Sequence, residues 1–348
     1  MVLNTKQKVK KYTPKRCLCL LVWAMTCLET SAQKRISYAL DLHTFADNRE
    51  YNSSPFQVPQ TIFGIRTSPT ICLQIDSMHQ IIGGFNNLFE FGSQFSFNNT
   101  SPIIYYQYKS KPTDFFMGSF PRQNLLSQYP LAILTDTLNY YRPNIQGMLL
   151  KNKGKWGYQT VWIDWTSRQT TSERETFLFG FSGHAQRGIA FIQNYAAMYH
   201  FAATTNGFPN GEFRDNGAIT LRMGLDLSKK INHIDSLSIN IGYLQSYERN
   251  RNTADFRTPK GYLAEAYAQY KRLAIKNTYY NGEGSNLDFG DHFYRETHYN
   301  RTDFILIPLK HKAILGKFIY SIHRTKNGFD NQQAFVLRYI FNHESKRN

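Results

Sequence analysis

Cysteine is scarce in this chain: there are four among 348 residues, and Cys17, Cys19 and Cys27 all crowd into the N-terminus. Only Cys72 follows, so no disulfide can form within the rest of the chain. Packing or backbone pairing has to hold it together. Long apolar runs are missing too. Past the N-terminus nothing approaches ~18 consecutive apolar residues, which excludes a helical membrane protein. Apolar residues at helical spacing are nearly absent, and there is no phosphate-binding glycine loop or paired-cysteine site. Acidic residues are the minority charge, 25 against 41 lysines and arginines. The basic excess is scattered, much of it in short turns, and offers no clustered face to nucleic acid.

What the chain does have is aromatic residues and alternation. Tyr (23) and Phe (26) are numerous, although hydrophobic residues make up only 41% and mean hydropathy is -0.48. In "GAITLRMGLDLSKKINHIDSLSINIGYLQSY" (217–247), Ile219, Leu221, Met223, Leu225 and Leu227 fall on one side of an extended chain. Thr220, Arg222, Gly224 and Asp226 fall on the other. After a polar turn, Leu237, Ile239, Ile241 and Tyr243 alternate with Ser238, Asn240 and Gly242. Two neighbouring strands therefore each have one oily face and one wet face.

The N-terminus reads as an address. Lys6, Lys8, Lys10, Lys11, Lys15 and Arg16 precede "CLCLLVWAMTCL" (17–28), an apolar core of 12 residues that is too short to span a bilayer. "TSA" ends at Ala32, which predicts a secretory signal peptide over 1–32 and a mature chain from Gln33. A lipoprotein signal through Cys27 is the competing reading, and Ala24-Met25-Thr26 is a poor lead-in to it. Removal of 1–32 leaves 35 basic against 24 acidic residues, a charge of +11. Export, together with the scatter of the charges, argues against a nucleic-acid partner.

Period-2 alternation between turn signals predicts about sixteen strands, in a range of roughly 14–18. They fall near 34–45, 61–75, 79–91, 102–109, 113–120, 144–151, 155–165, 175–184, 187–201, 217–228, 235–247, 260–270, 273–280, 300–309, 313–324 and 331–341. The connections alternate in length. Long ones at 46–60, 92–101, 121–143, 166–174, 202–216, 248–259, 281–299 and 325–330 are separated by tight turns such as "DSMH", "NKGK" and "KHK". This is the pattern of an all-β, closed antiparallel up-and-down transmembrane β-barrel. The Greek-key links of a soluble sandwich cross between sheets and have no reason to alternate. In hydrocarbon every backbone N–H and C=O must find its partner within the protein, and a closed sheet provides this without edges. The expected organisation is one barrel domain over 33–341, in the outer membrane, with 342–348 as a short periplasmic tail. A soluble all-β protein is the remaining alternative; its chain would stay folded without detergent.

In "QQAFVLRYIF", Phe335, Leu337, Tyr339 and Phe341 form one apolar face ending on an aromatic residue. This resembles the C-terminal strand by which outer-membrane proteins are recognised by their assembly machinery. "SAQ" at the signal boundary is similar to that of Bacteroidota secreted proteins. As a pattern, the whole mature chain resembles a Bacteroidota-type outer-membrane β-barrel of porin-like architecture. It departs from that family in one respect, since "NHESKRN" follows Phe341. The resemblance implies a channel for passive diffusion of small hydrophilic solutes. Outer-membrane lipid and the assembly machinery would be its partners, homo-oligomerisation stays open, and no cofactor is implied.

The inferred inward faces carry polar residues, among them Arg222, Asp226, Glu265, Lys276 and Lys317. Connection 121–143 is the longest and the third, similar in order to the inward-folded constriction loop of general porins. Arg122, Asp136 and Arg142 on it are the residues expected to narrow the pore. Rings of charge tune selectivity, and the mature excess of +11 leans toward anionic solutes. The alternative is a polysaccharide-export or accessory barrel acting through outer loops, such as 204–216 and 281–299, or through a periplasmic partner. No enzyme activity is expected. Ser182 and His184 in "FSGHAQRG" lack a third group to orient the histidine. Asp291, His292, Glu296 and His298 in "DHFYRETH" fall in an outer connection read as solvated, without a recognised metal-ligand spacing.

Overall fold

The computed structural model describes residues 35–93, 99–170, 173–201 and 214–344. The expected signal peptide, 1–32, and residues 345–348 of the expected tail lie outside them. The strands are β1 (Arg35–Glu50), β2 (Gln60–Gln74), β3 (His79–Glu90), β4 (Asn99–Lys109), β5 (Thr113–Pro121) and β6 (Asn144–Gly154). They continue with β7 (Gly157–Ser167), β8 (Thr176–Arg187), β9 (Ala190–Phe201), β10 (Arg214–Asp226), β11 (Ser236–Asn250) and the short β12 (Asp255–Arg257). The last are β13 (Lys260–Tyr270), β14 (Leu273–Gly282), β15 (His298–His311), β16 (Ile314–Thr325) and β17 (Gly328–Glu344). All pairings are antiparallel between neighbours, with β12 a ribbon on β11 and β11 passing directly to β13.

The first and last strands meet. β1 pairs with β17 from Ser37↔Glu344 to Glu50↔Asn331, which closes a barrel of 16 strands among the described residues. Every strand expected from alternation has its counterpart. β1 and β17 run further than expected, to Glu50 and Glu344, because the extra residues of each pair with the expected span of the other, 46–50 with 331–335 and 342–344 with 37–39. Asn342 and His343, expected in the tail, lie opposite Ala39 and Tyr38, and the Tyr38 and His343 rings stack at 4.8 Å. Closure is further tied by an ion pair across the seam, where Arg338 Nε donates to Asp41 Oδ1 at 2.8 Å. The short turns are built from polar local contacts. Asp76 Oδ1, for example, accepts from the backbone N–H of Met78 (2.7 Å) and of His79 (2.8 Å).

Alternation sets the two surfaces of the wall. On β10, Ile219 (47%), Leu221 (51%), Met223 (59%) and Leu225 (41%) are exposed outward, while Thr220 (1%) and Arg222 (4%) are buried inward. Phe335 and Phe341 of β17 are likewise exposed. An outward apolar band of this kind suits lipid, where a lysine or arginine at mid-depth would cost about 2–4 kcal/mol. The core of the protein is therefore in the lumen rather than between two sheets. Phe120, Ile145, Trp162, Leu178, Tyr195, Tyr280 and Tyr299 line it from the wall. Two long connections fill it: L3, residues 122–143, and L7, residues 283–297.

Candidate functional site

L3 turns inward because both of its ends are pinned to the wall. Arg122 donates its backbone N–H to Pro143 O (2.7 Å) and its Nε to Arg142 O (3.2 Å). Its guanidinium forms an ion pair with Asp164 of β7, and both side chains are buried. Asp164 Oδ1 also accepts from Gln146 N at 2.8 Å. Between these anchors, Leu126, Ile133, Leu134 and Leu138 have no lipid to meet, so they pack against the lumen side of the wall. Tyr129 is held at its tip: Trp162 Nε1 donates to its hydroxyl (2.8 Å), which donates onward to Phe181 O (2.9 Å). A single helical turn, α1 (Leu138–Tyr141), leads back to β6.

L7 folds onto L3. Thr135 N donates to Phe289 O (2.7 Å), and Asp291 N donates to Leu131 O (2.8 Å), so the two loops clasp backbone to backbone. Asp291 opens a 3-10 turn, His292–Arg295, by accepting from Phe293 N at 3.1 Å, and it accepts from Gln57 Nε2 at 2.7 Å. Burial, and after it the nearby Asp136 carboxylate, push its pKa up to about 6. Phe293 and Tyr294 are buried, and Phe293 stacks on the Tyr299 and His323 rings. The sequence expectation of a solvated 281–299 loop is corrected here. Its aromatic residues find an apolar lumen to enter, and burial there outweighs exposure in water.

Beside the clasp the lumen keeps a polar chamber of about 400 Å³. L3 contributes residues 127–131 and Asp136, L7 contributes Tyr294, and the wall from β9 to β15 contributes the rest. Glu265 of β13 lies 2.8 Å from Lys276 Nζ and 3.8 Å from Arg222. On β15, Arg301 Nε donates to Asp303 Oδ1 at 2.7 Å, and Ser321 Oγ donates to the same oxygen at 2.6 Å. Asp136 accepts from Arg49 of β1 at 3.1 Å.

Four residues expected at the pore meet in this chamber: Asp136, Arg222, Glu265 and Lys276. The other four do not line it. Arg122 is held by Asp164, and Arg142 reaches Thr166 O at 3.4 Å. Asp226 binds the Ser228 N–H (3.0 Å) in the turn after β10, and Lys317 sits half-buried further along the lumen face of β16. Arg301 and Asp303 were missed, although both have the inward parity of a predicted strand. Ser182 and His184 do not bond to each other; His184 Nδ1 faces Gln193 at 3.2 Å. Among the described residues no group of three or more His, Cys, Asp or Glu side chains is placed to hold a metal.

A second cluster lies on the outward face at the long-loop rim. His200 of β9 has its Nδ1 2.9 Å from Asp215 of β10. Arg251 Nε donates to the other oxygen of Asp215 at 2.6 Å. Phe177 packs beside the imidazole at 5.0 Å between ring centroids.

A closed 16-strand barrel with an apolar outer band and inward-folded loops defines an outer-membrane protein of porin-like architecture. Comparison with solved structures agrees. OmpT of Vibrio cholerae, in a loop-deletion form, superposes with a TM-score of 0.56 at 9% identity, covering 88% of this chain and 99% of that one. The anion-selective porin of Comamonas acidovorans gives 0.53 at 9% identity, covering 89% and 99%. OccAB4 of Acinetobacter baumannii gives 0.50 at 11%, covering 91% and 100%. Identities this low establish the fold alone. Among curated proteins none matches in sequence. The chain belongs to the Lipid A 3'-O-deacylase-type family, whose profile matches residues 28–344. That family carries the name of an enzyme, so the expectation that the protein has no enzymatic character is overturned.

Proposed function

We propose that the protein is a porin-like channel for small hydrophilic solutes, with its passage narrowed to the chamber between L3 and the wall. The observation carrying this reading is the chamber itself. About 400 Å³ of the lumen is lined by three cations, Arg222, Lys276 and Arg301, and three carboxylates, Asp136, Glu265 and Asp303. Opposed charges at a constriction orient and select polar solutes. With L3 and L7 filling so much of the lumen, small solutes fit this route better than a polysaccharide chain. The purified barrel is expected to give discrete conductance steps in planar bilayers, with a reversal potential favouring anions. A folded barrel that inserts and never conducts refutes the reading.

A second reading is favoured by the family and by the rim cluster. It makes the protein a hydrolase that removes an ester-linked acyl chain from a glycolipid. His200 Nε2 would take a proton from water, and the hydroxide would attack the acyl carbonyl. Collapse of the tetrahedral intermediate would return that proton to the leaving alkoxide, giving a fatty acid and an alcohol. Asp215 would orient the imidazole and balance its charge. His200→Gln is then expected to slow acyl release from lipid A-containing vesicles by about 100-fold or more while leaving conductance unchanged. Undiminished release from that variant removes His200 from the reaction.

A further inference from the structure

We infer that the lumen chamber is a binding site for a small organic monocarboxylate, seated on the guanidinium of Arg222. The inference deepens the channel reading and rests on it for the route by which the ligand arrives. Arg222 is only 4% exposed, yet among the described residues its Nε has no hydrogen-bond partner. Its nearest carboxylate, Glu265, stands at 3.8 Å, beyond a normal hydrogen bond, and is already engaged by Lys276 at 2.8 Å. Two cations thus share one anion. An arginine stays charged in any protein environment, and a buried donor left unpaired is destabilising.

The seat is built to hold this side chain in place. Gly242 lies directly opposite Arg222 across the β10–β11 pair. A Cβ added at Gly242 would stand 2.5 Å from Arg222 Cγ and 2.8 Å from Leu221 O, so the glycine is what leaves room for the arginine stem. The Tyr195 ring sits 6.0 Å from the guanidinium carbon. A carboxylate offers two oxygens in the plane that a guanidinium fork matches. The carboxylates of Glu265, Asp136 and Asp303 around the same chamber disfavour a dianion. Tyr195 and Tyr294 supply ring surface for an apolar body. Together these favour a monoanion with a compact apolar part.

The test is calorimetric titration of the full chain, folded in detergent, with benzoate and with its neutral counterpart benzamide. Benzoate is expected to bind, benzamide about tenfold more weakly or worse. Arg222→Gln is expected to weaken benzoate about tenfold, and Lys317→Gln to leave it unchanged. Gly242→Ala keeps the charge but crowds the stem, and is expected to weaken benzoate as well. Heat-dependent gel mobility of each variant shows that it has folded; if Arg222→Gln fails this check, Gly242→Ala carries the test. Equal binding of benzoate and benzamide overturns the inference. So does chloride competing with benzoate at equal concentration, or full affinity in both variants. A barrel that conducts but binds no benzoate ends this inference and leaves the channel standing. One that binds benzoate without conducting does the reverse.

Discussion

Asp164→Ala is expected to destabilise the folded barrel by about 3–5 kcal/mol and to release L3 from the wall. Removing one partner of a buried ion pair leaves the other charge without compensation, and that is among the costliest single changes a protein meets. Asp164 and Arg122 are both essentially shielded from solvent, and among the described residues no second carboxylate pairs with Arg122. The same substitution also strips the acceptor from Gln146 N. Because Arg122 ties the start of L3 to its end through Pro143 O and Arg142 O, the loss acts on the constriction as well as on stability. Asp164→Asn should cost less, since it keeps an acceptor for Gln146. Replacing the pair together, Arg122→Met with Asp164→Leu, should recover much of the loss by leaving no charge buried. Urea unfolding in detergent, read by heat-dependent gel mobility, measures the stability series. Conductance of the same variants should rise as L3 loosens. An Asp164→Ala barrel as stable as the parent shows that the pair does not hold the loop.

The wall of this protein is legible in its sequence because one physical rule writes it. Ile219, Leu221, Met223 and Leu225 against Thr220 and Arg222 already say which side meets lipid and which meets the lumen. Arg222, Glu265 and Lys276 reach the chamber by that parity alone. The lumen filling is less legible. Phe293 and Tyr294 stand between Asp291 and Arg295 in a connection that reads as polar, and their burial depends on L7 meeting L3 across the lumen, Asp291 N at Leu131 O and Phe289 O at Thr135 N. Arg122 has the charge expected of a pore residue but belongs to Asp164, 42 positions away, and no local pattern announces that pairing. His200 and Asp215 lie at the ends of successive strands, flanking a long connection, where alternation says nothing about chemistry. No short motif read from the residues points to the family, whose profile spans residues 28–344, and so catalysis is not legible in the sequence.

The clasp between L3 and L7 is expected to loosen as pH rises from about 4 to about 6, and Asp291→Asn is expected to abolish that dependence. With the loops closed, Asp291 keeps its proton up to about pH 6. In an opened loop an aspartate gives it up near ~3.9. Between these values the closed state binds more protons, so closure is strongest below about pH 4. It weakens as pH rises from there to 6 and is level above. The groups around the carboxyl agree in sign with this order. Burial and Asp136 oppose its charge, and Arg301, the Phe293 N–H and Arg49 only partly offset them. Asp291 is only partly buried, so water screens part of this difference, and a change of about tenfold in the closed-to-open ratio is expected. Hydrogen exchange at the Thr135 and Asp291 amides, which make the two clasping bonds, reads that ratio directly once intrinsic rates are corrected for pH. Protection of both should fall together between pH 4 and 7 in the parent and stay flat in Asp291→Asn. If the parent shows equal corrected protection at pH 4 and pH 7, Asp291 does not govern the clasp. If Asp291→Asn keeps the parent's slope, another group does.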